Sequence, residues 1–445
     1  MNLSERLARS NGLRCDIRFG HGGRVLRAEL RQQQKNEGRR HDMKKAMFAA
    51  LVAASSALCS AQTGTPIKMV GSLDLSGPVA EVGKDTLLGI QFAVDALNKG
   101  GGVLGRPVTF DYQDNGSNAQ RAITQSTTMV RDGAVFLMAP QASGSTLGVT
   151  KMVSAKLKVP MCVSASGSED ITMKDFQPYV FSVTPNAYTE MRGAAMQLAK
   201  QPYKRYALLA ADYSGARTNE ARFKAFLKEL NPQAEIVIEE FPKLGAIDYT
   251  ASINKILAAK PDYVFTILYG TDLVTFSKQA TALGFFKQIN SKFFGIYDES
   301  VLKTLGDSAA IGGNGVQRAP ADYLLKSGPQ AKAYVDQFKA KNGFPPSDWS
   351  TLAYDCVMTW AQAVNTAKST DADAVIRAVE GGEFNTMRGK LRFGKLDHAA
   401  DAPVFFGRLE RGKEQGHPIM AVTDVIPGSM VRPTEAEIRK SRQPE

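Results

Sequence analysis

The most constraining feature of this sequence is a regular alternation of short apolar runs and longer amphipathic segments, which begins at Pro66. The first unit, Pro66–Asn98, contains an apolar run, a Ser-Gly-Pro turn and a segment with apolar residues at helical spacing. Units of the same kind follow it along the chain. Strands that alternate with helices form a parallel sheet with helices on both faces. The sequence therefore predicts the α/β fold class.

The alternation is interrupted at Val180–Asn186, where the pattern crosses a proline and then restarts. At 445 residues the chain suits two to three domains. The two α/β units have similar size, and no Ser/Gly-rich linker separates them. We therefore expect two Rossmann-like lobes joined by short crossings. Residues 427–445 form a C-terminal tail, which we expect to fray from Arg432 because it is charged.

Residues 1–61 differ in composition from the rest of the chain and hold more than half of its formal net charge of +11. Two lysines after Met43 precede an apolar run over residues 46–58 and a Cys-Ser-Ala sequence that offers small residues for cleavage. This order is typical of a secretory signal peptide, here residues 43–61. It predicts a secreted protein.

Signal peptides stand at the N-terminus, so we expect Met43 to be the true start and residues 1–42 to be a mis-annotated, disordered extension. A genuine basic tail ahead of an internal apolar segment is the alternative. Lipid modification of Cys59 is a weaker one, because Leu58 occupies a position that normally holds a small residue. Without residues 1–61 the chain is close to charge balance and gives no reason to propose a nucleic-acid partner.

Two cysteines, Cys162 and Cys356, remain after the signal peptide. An oxidising compartment would permit one disulfide between them. Each lies in an apolar run, however, and free cysteine packs as a small hydrophobic residue. We therefore expect two buried free thiols.

The motifs of the common enzyme classes are missing from the sequence after residue 61. Its only histidines are His398 and His417, which disfavours a histidine zinc site and a Ser-His-Asp triad. A phosphate loop fails because Pro78 stands where its first glycine is required, and no G-x-S-x-G or G-x-G-x-x-G motif is found in the expected context. We expect no enzyme activity, no cofactor and no metal.

Loops rich in serine and glycine follow three of the predicted strands. They contain Ser76, Ser143 and the run Ala165, Ser166 and Gly167. Ligands of open α/β sheets bind at the carboxyl ends of strands, and N–H groups at helix starts attract anions. Two such loops on neighbouring strands predict a carboxylate site. The alternative for each loop is an ordinary helix cap.

The second unit places tyrosines at equivalent strand ends. Tyr213, Tyr269 and Tyr297 each follow or end a predicted strand, and Asp298 comes next. Aromatic walls with a few polar groups suit a small-molecule site. Each tyrosine could instead be a half-buried packing residue. Asp298 could pair with a cationic group of a ligand or cap the following helix.

The chain resembles the periplasmic branched-chain amino acid (Leu/Ile/Val) binding proteins of ABC transporters. The resemblance runs from about Ile67 to Val425 and is carried by segments such as LSGPVAEVGKD, LMAPQASGSTLGV, KVPMCVSASGSEDIT and LAYDCVMTWAQAV. It implies the type I periplasmic binding protein fold, with two lobes, three hinge crossings and a ligand in the cleft. Lobe 1 would comprise residues 66–183 and 320–390, and lobe 2 residues 184–319 and 391–426.

By this resemblance, Ser143 and the loop Ala165–Gly167 would hold a ligand carboxylate. The family's usual threonine falls on Gly167, so Ser166 or Ser168 would have to replace it. The walls would be Tyr213 and Tyr269. The family's glutamate, which binds the ligand's amino group, falls on Tyr297, one residue before Asp298. The ligand could therefore be a branched-chain or related amino acid, or an aromatic acid, an amide or another carboxylate.

The resulting hypothesis is a monomeric periplasmic binding protein that delivers a small carboxylate to a membrane ABC permease. A sensor of the same fold, which would present its closed state to a receptor kinase, is the first alternative. A secreted enzyme on the same scaffold is the second, and it lacks a nucleophile–base pair or metal ligands in the sequence.

Overall fold

The computed structural model describes residues 64–413 and 416–443. The predictions about residues 1–42 and 43–61 lie outside these ranges. The strands are β1 (Ile67–Leu73), β2 (Val108–Asp114), β3 (Phe136–Met138), β4 (Met161–Val163), β5 (Val180–Ser182), β6 (Arg205–Ala210), β7 (Glu235–Glu240), β8 (Tyr263–Ile267), β9 (Phe293–Ile296), β10 (Asn314–Gln317), β11 (Glu383–Thr386), β12 (Gly389–Arg392), β13 (Val404–Arg411) and β14 (Pro418–Ile426).

Most of the helices lie between consecutive strands. They are α1 (Ala80–Lys99), α2 (Ala119–Arg131), α3 (Ser143–Val149), α4 (Ala155–Leu157), α5 (Ala187–Leu198), α6 (Ser214–Leu230), α7 (Thr250–Ala259), α8 (Gly270–Ala282), α9 (Phe285–Gln288), α10 (Glu299–Leu305), α11 (Ala321–Leu324), α12 (Pro329–Asn342), α13 (Asp348–Ala367), α14 (Ala372–Val379), α15 (Gly428–Val431) and α16 (Glu435–Ser441). A π-helical turn, Thr150–Ser154, joins α3 to α4, and short 3₁₀ turns span Glu169–Ile171 and Gly306–Ser308.

The first sheet has the order β2-β1-β3-β4-β5, and all its strands are parallel. Alternate residues of a strand point to opposite faces. In β4, Cys162 therefore enters the core beneath α1 and α13, whereas Met161 and Val163 enter the core on the other face. Burial on both faces explains why these strands are continuous apolar runs in the sequence.

The second sheet has the order β14-β13-β10-β9-β8-β6-β7. Strands β10, β9, β8, β6 and β7 are parallel to one another, and β13 and β14 add an antiparallel edge. Apolar cores cover both of its faces. The prediction of two α/β lobes, each with a largely parallel sheet, is confirmed.

The chain passes between the two sheets three times. The first two passages follow β5 and β10, and the third follows β12. Strand β12 pairs with β11 as far as Arg392, and Phe393 packs in the core of the first lobe. The hairpin turn contributes a buried arginine to that core, so the chain leaves the first lobe only after Phe393.

The prediction of two free thiols is wrong, because Cys162 and Cys356 form a disulfide. Cys162 lies on the face of β4 that α13 covers, and Cys356 lies on α13. Their Cα atoms are 5.9 Å apart, although 194 residues separate them in sequence. Local apolar character could not reveal this pairing, since it depends on where α13 crosses the sheet.

The prediction of a frayed tail from Arg432 is also wrong for the residues that the structure describes. Arg432 pairs with Asp397 at 3.0 Å, and the Tyr188 hydroxyl donates to Glu437 at 2.7 Å. Arg442 donates to the carbonyl oxygen of Leu396 at 2.6 Å. The charged residues of the tail thus find partners on α5 and in the segment that leads to β13, which the local sequence does not indicate.

Candidate functional site

The two predicted serine loops meet at the carboxyl end of the first sheet. Strands β3 and β4 are parallel neighbours, so the loops that follow them start side by side. The Ser166 hydroxyl donates to the Ser143 hydroxyl at 3.0 Å. Ser143 is the first residue of α3, and the residue that caps this helix is Ala142, which makes no side-chain cap bond. The Ser143 hydroxyl is therefore not engaged as a helix cap.

The loop before Ser143 is fixed to the end of β1. The buried Asp74 carboxylate accepts from the backbone N–H of Gln141 at 2.7 Å, and the Gln141 side chain accepts from the Asp74 N–H at 2.8 Å. Ser76, two residues later, is exposed and its N–H donates to Asp114 at 3.1 Å. The structure therefore places Ser76 on an outer loop, apart from the paired serines.

Tyr213 and Tyr269 are brought together at the carboxyl ends of β6 and β8. Each is half-buried and caps the start of the next helix. Burial, with a smaller contribution from Asp272, raises the pKa of Tyr213 to about 12. Burial also raises the pKa of Tyr269, with smaller contributions from Tyr213 and Glu190. Arg318 lowers the pKa of both tyrosines by less than burial raises it. The two tyrosines are therefore neutral. The charge of Arg318 acts on both of them, and that of Glu190 acts on Tyr269.

Arg318 lies between the lobes, directly after strand β10. Its Nε is 2.7 Å from Glu190 Oε1, and its Nη2 donates to Glu190 Oε2 at 2.8 Å. The guanidinium also lies over the Trp349 ring, 4.5 Å from its centroid. A Cβ atom built on Gly167 would be 3.9 Å from Arg318 Nη2. Arg318 thus connects the second lobe with the loop that carries Ser166.

Tyr297 does not join this group. Its side chain packs in a core of the second lobe and is 4% exposed. The ring lies against Gly295 and Gly315, where a Cβ atom on either glycine would collide with it. Burial raises the pKa of Tyr297, so it is neutral. The structure makes Tyr297 a packing residue, which was the alternative considered for the tyrosines.

Asp298 faces the interface between the lobes, but its oxygens have protein donors. Oδ1 accepts from the Val301 N–H at 2.9 Å and from the Ser300 hydroxyl at 2.7 Å, so Asp298 caps α10. Oδ2 accepts from Trp349 Nε1 at 3.3 Å. The capping alternative for Asp298 thus holds, and the same carboxylate links α10 to the first lobe.

Three residues of this region were missed by the sequence analysis, namely Arg318, Glu190 and Trp349. Arg318 follows a buried strand just as the serine loops do, so the strand-end rule could have selected it. Glu190 and Trp349 lie in the first turns of α5 and α13, and nothing in their local sequence distinguishes them from surface or core residues.

Within the described ranges, no helix is both long and apolar enough to cross a membrane. The same ranges contain no cluster of three or more His, Cys, Asp or Glu side chains arranged to hold a metal ion.

Comparison with known proteins identifies the class. The family model of the periplasmic binding proteins matches residues 66–414. The leucine-, isoleucine-, valine-, threonine-, and alanine-binding protein of Pseudomonas aeruginosa is 25% identical over 353 residues, which cover 78% of this chain and 90% of that protein.

Solved structures show the same fold. An ABC transporter substrate-binding protein from Sphaerobacter thermophilus has a TM-score of 0.75 at 24% identity and covers 82% of this chain and 98% of its own. A solute-binding protein of an ABC transporter from R. palustris, in complex with benzoate, has a TM-score of 0.72 at 20% identity, with 82% and 97% covered.

The chain belongs to the periplasmic binding protein family, and its fold is the type I fold of that family. Members of this family are solute-binding proteins and not enzymes, and they act in the periplasm. The family expected from the sequence is confirmed.

Proposed function

We propose that this protein is the substrate-binding component of an ABC transporter. It binds a small carboxylate in the cleft between its lobes and delivers it, as a monomer, to membrane permease subunits. Residues 43–61 act as the signal peptide that directs it to the periplasm. The observation that carries the proposal is the hydrogen bond between the hydroxyls of Ser143 and Ser166 at the carboxyl edge of the first sheet. The start of α3 has no side-chain cap bond, so the Ser143 hydroxyl is not used as a helix cap.

The serine loops supply the carboxylate site. A hydroxyl on each of two neighbouring loops can donate to one carboxylate, and Gly167 leaves its own backbone accessible. Tyr213 and Tyr269 form the opposite wall on the second lobe. A ligand that contacts both lobes favours the closed state by its differential affinity for that state.

Branched-chain and related amino acids are the first ligand class, because they are named in the relative from Pseudomonas aeruginosa. Aromatic acids are the second candidate, supported by the benzoate-bound neighbour and by the position of Tyr297. That tyrosine, which stands where the resemblance implies a glutamate for the ligand's amino group, is buried in a core.

A thermal-shift screen of amino acids, aromatic acids and amides tests the proposal, since a specific ligand raises the apparent stability by mass action. We expect at least one carboxylate to raise the melting temperature. Titration calorimetry with that ligand should show that Ser143→Ala weakens binding by about 1.5 to 3 kcal/mol, the value of a hydrogen bond to a charged group.

Ser126→Ala is the matched control. Ser126 is buried on α2 in the same lobe, and its hydroxyl has no partner among the described residues. We expect this variant to bind like the parent protein. Unchanged affinity of Ser143→Ala would remove Ser143 from the site, and a screen without any carboxylate hit would refute the assignment of the serine loops.

A further inference from the structure

Arg318 has donor groups that the protein itself does not use. A guanidinium carries five N–H donors in a fixed fork. Glu190 accepts a hydrogen bond from Nη2, and its other oxygen lies 2.7 Å from Nε without hydrogen-bond geometry. No hydrogen bond within the described ranges uses Nη1. The Trp349 ring covers one face of the guanidinium, and the Arg318 side chain is 7% exposed. The unused N–H groups can therefore meet an acceptor from few directions.

Arg318 also faces the serine loop at Gly167. Among the described residues, the only atom within 4 Å of a Cβ built on Gly167 is Arg318 Nη2. No atom of Glu190 comes that close to this point. A ligand held by the loop Ala165–Gly167 therefore meets the guanidinium rather than the carboxylate of the ion pair.

Neighbouring carboxylates of the cleft already accept hydrogen bonds from the protein. Both oxygens of Glu190 face Arg318. Asp348 accepts from the backbone N–H groups of Arg318 and Ala319, at 2.7 and 2.6 Å. Asp298 accepts from Trp349 and from the start of α10. An ammonium group on the ligand would have to compete with these donors for its acceptor.

The charge of Arg318 does not vary with pH in the physiological range. Burial disfavours the charged form, but Glu190 and Tyr269 favour it more strongly and raise the pKa above its ordinary value. In a water-poor cleft, repulsion between this guanidinium and a nearby ammonium is weakly screened. Attraction to a carboxylate or to a carbonyl oxygen is strengthened for the same reason.

We propose that Arg318 donates hydrogen bonds to the ligand beside Gly167. The ligand is then a carboxylate without an α-ammonium group. At that position it carries either an oxygen acceptor or no polar group. This inference rests on the proposed function and narrows its ligand class to organic acids without an α-amino group. Arg318 is then the specificity-determining residue of the cleft.

Matched ligand pairs test the ligand class on the parent protein, without any substitution. The pairs are phenylpyruvate with phenylalanine and the α-keto acid of leucine with leucine, and calorimetry measures each affinity. We expect at least one keto acid to bind about tenfold or more tightly than its amino acid, the factor that corresponds to one hydrogen bond to a charged group. Tighter binding of the amino acid in both pairs would overturn the inference and leave the proposed function in place.

Substitutions then test Arg318 itself. The double variant Arg318→Met with Glu190→Gln removes both charges, so no buried charge is left unpaired, and its affinity for the keto acid should fall about 10- to 100-fold. Arg388→Met with Asp355→Asn is the matched control. It removes both charges of the buried pair inside the first lobe, and its keto-acid affinity should stay within a few-fold of the parent value.

Melting temperatures of the free variants separate binding from folding. A variant without Arg318 that melts like the parent protein and binds the keto acid equally well would overturn the role of Arg318. If no member of either pair and no benzoate binds to the parent protein, the proposed carboxylate function fails, and this inference fails with it.

Discussion

Within the described part of the chain, two arginine–carboxylate pairs are buried, and their surroundings differ. Arg388 and Asp355 are both 0% exposed, inside the first lobe. Arg388 donates to Asp355 at 2.9 Å and to the carbonyl oxygen of Val183 at 2.8 Å, and Asp355 also accepts from the Met387 N–H at 2.8 Å. Every partner belongs to the same lobe, so this pair holds the β11–β12 hairpin onto α13 and β5.

The pair of Arg318 and Glu190 lies between the lobes instead. Arg318 follows β10, Glu190 is on α5, and the ring over the guanidinium belongs to Trp349 on α13. Arg318 is 7% exposed and faces Gly167. The comparison shows that burial of an ion pair does not identify its role. A pair whose partners all lie in one lobe is structural, whereas a pair at the crossing of two lobes can act on a ligand.

Arg388→Met should have the largest effect on stability. It leaves the Asp355 carboxylate buried without its counter-charge, and breaking a buried pair in this way costs about 3 to 5 kcal/mol. Urea denaturation measures this loss. Ligand affinity of the folded variant should be unchanged, because no atom of Arg388 faces the cleft. Arg392→Met, on the exposed side of the same hairpin, is the control and should unfold like the parent protein. A loss of affinity in Arg388→Met would contradict the distinction between the pairs.

Removal of the disulfide should be the next largest effect. Cys356 follows Asp355 on α13, and its bond to Cys162 fixes the same core. Cys162→Ala with Cys356→Ala should lower the free energy of unfolding by about 2 to 4 kcal/mol, the usual value for a native disulfide. Reductant should destabilise the parent protein in the same denaturation experiment and leave the double variant unaffected. An equal response of both proteins to reductant would refute the bond.

The smallest effect is a change of stability with pH, which Glu299 in the region between the lobes should cause. Burial raises the pKa of Glu299 to about 8, and Asp322, Asp348 and Asp298 add to this. In the unfolded chain this carboxyl ionises near its ordinary value, so the folded state binds more protons up to about pH 8. Stability should therefore increase as the pH falls from about 8.5 to 7, with a slope of up to about 1.4 kcal/mol per pH unit.

Glu299→Gln should flatten this slope, and melting temperatures across the pH range measure it. Asp307→Asn is the control, because Asp307 has a side chain that is 95% exposed and should leave the slope unchanged. A stability that rises with pH over the same range would contradict the burial of Glu299.

Much of the fold could be predicted because periodicity reports which face of an element is buried. The first predicted unit, Pro66–Asn98, contains strand β1 (Ile67–Leu73) and all but the last residue of helix α1 (Ala80–Lys99). The serine loops were predicted to be neighbours, and the contact between Ser143 and Ser166 agrees with that expectation. Helix α3, in contrast, begins at Ser143, inside a stretch that was predicted to be a loop, since small residues carry a weak helix signal.

Residues that depend on distant partners could not be predicted. Tyr297 stands at a strand end like Tyr269, but Gly295 and Gly315 open a space for its ring inside the core. The charged tail was expected to fray, yet Arg442 and Glu437 are bound by groups far away in sequence. In each case the local residue type permits two outcomes, and the surrounding elements select one.

The sequence by itself determined the α/β class, the positions of most strands and helices, the loops at the strand ends and the resemblance to the binding-protein family. Only the tertiary structure decided the disulfide, the two buried ion pairs and the position of Arg318 opposite Gly167. The reason is physical. Apolar periodicity acts along one element at a time, whereas a pairing between residues of different lobes depends on how the three crossings bring those lobes together.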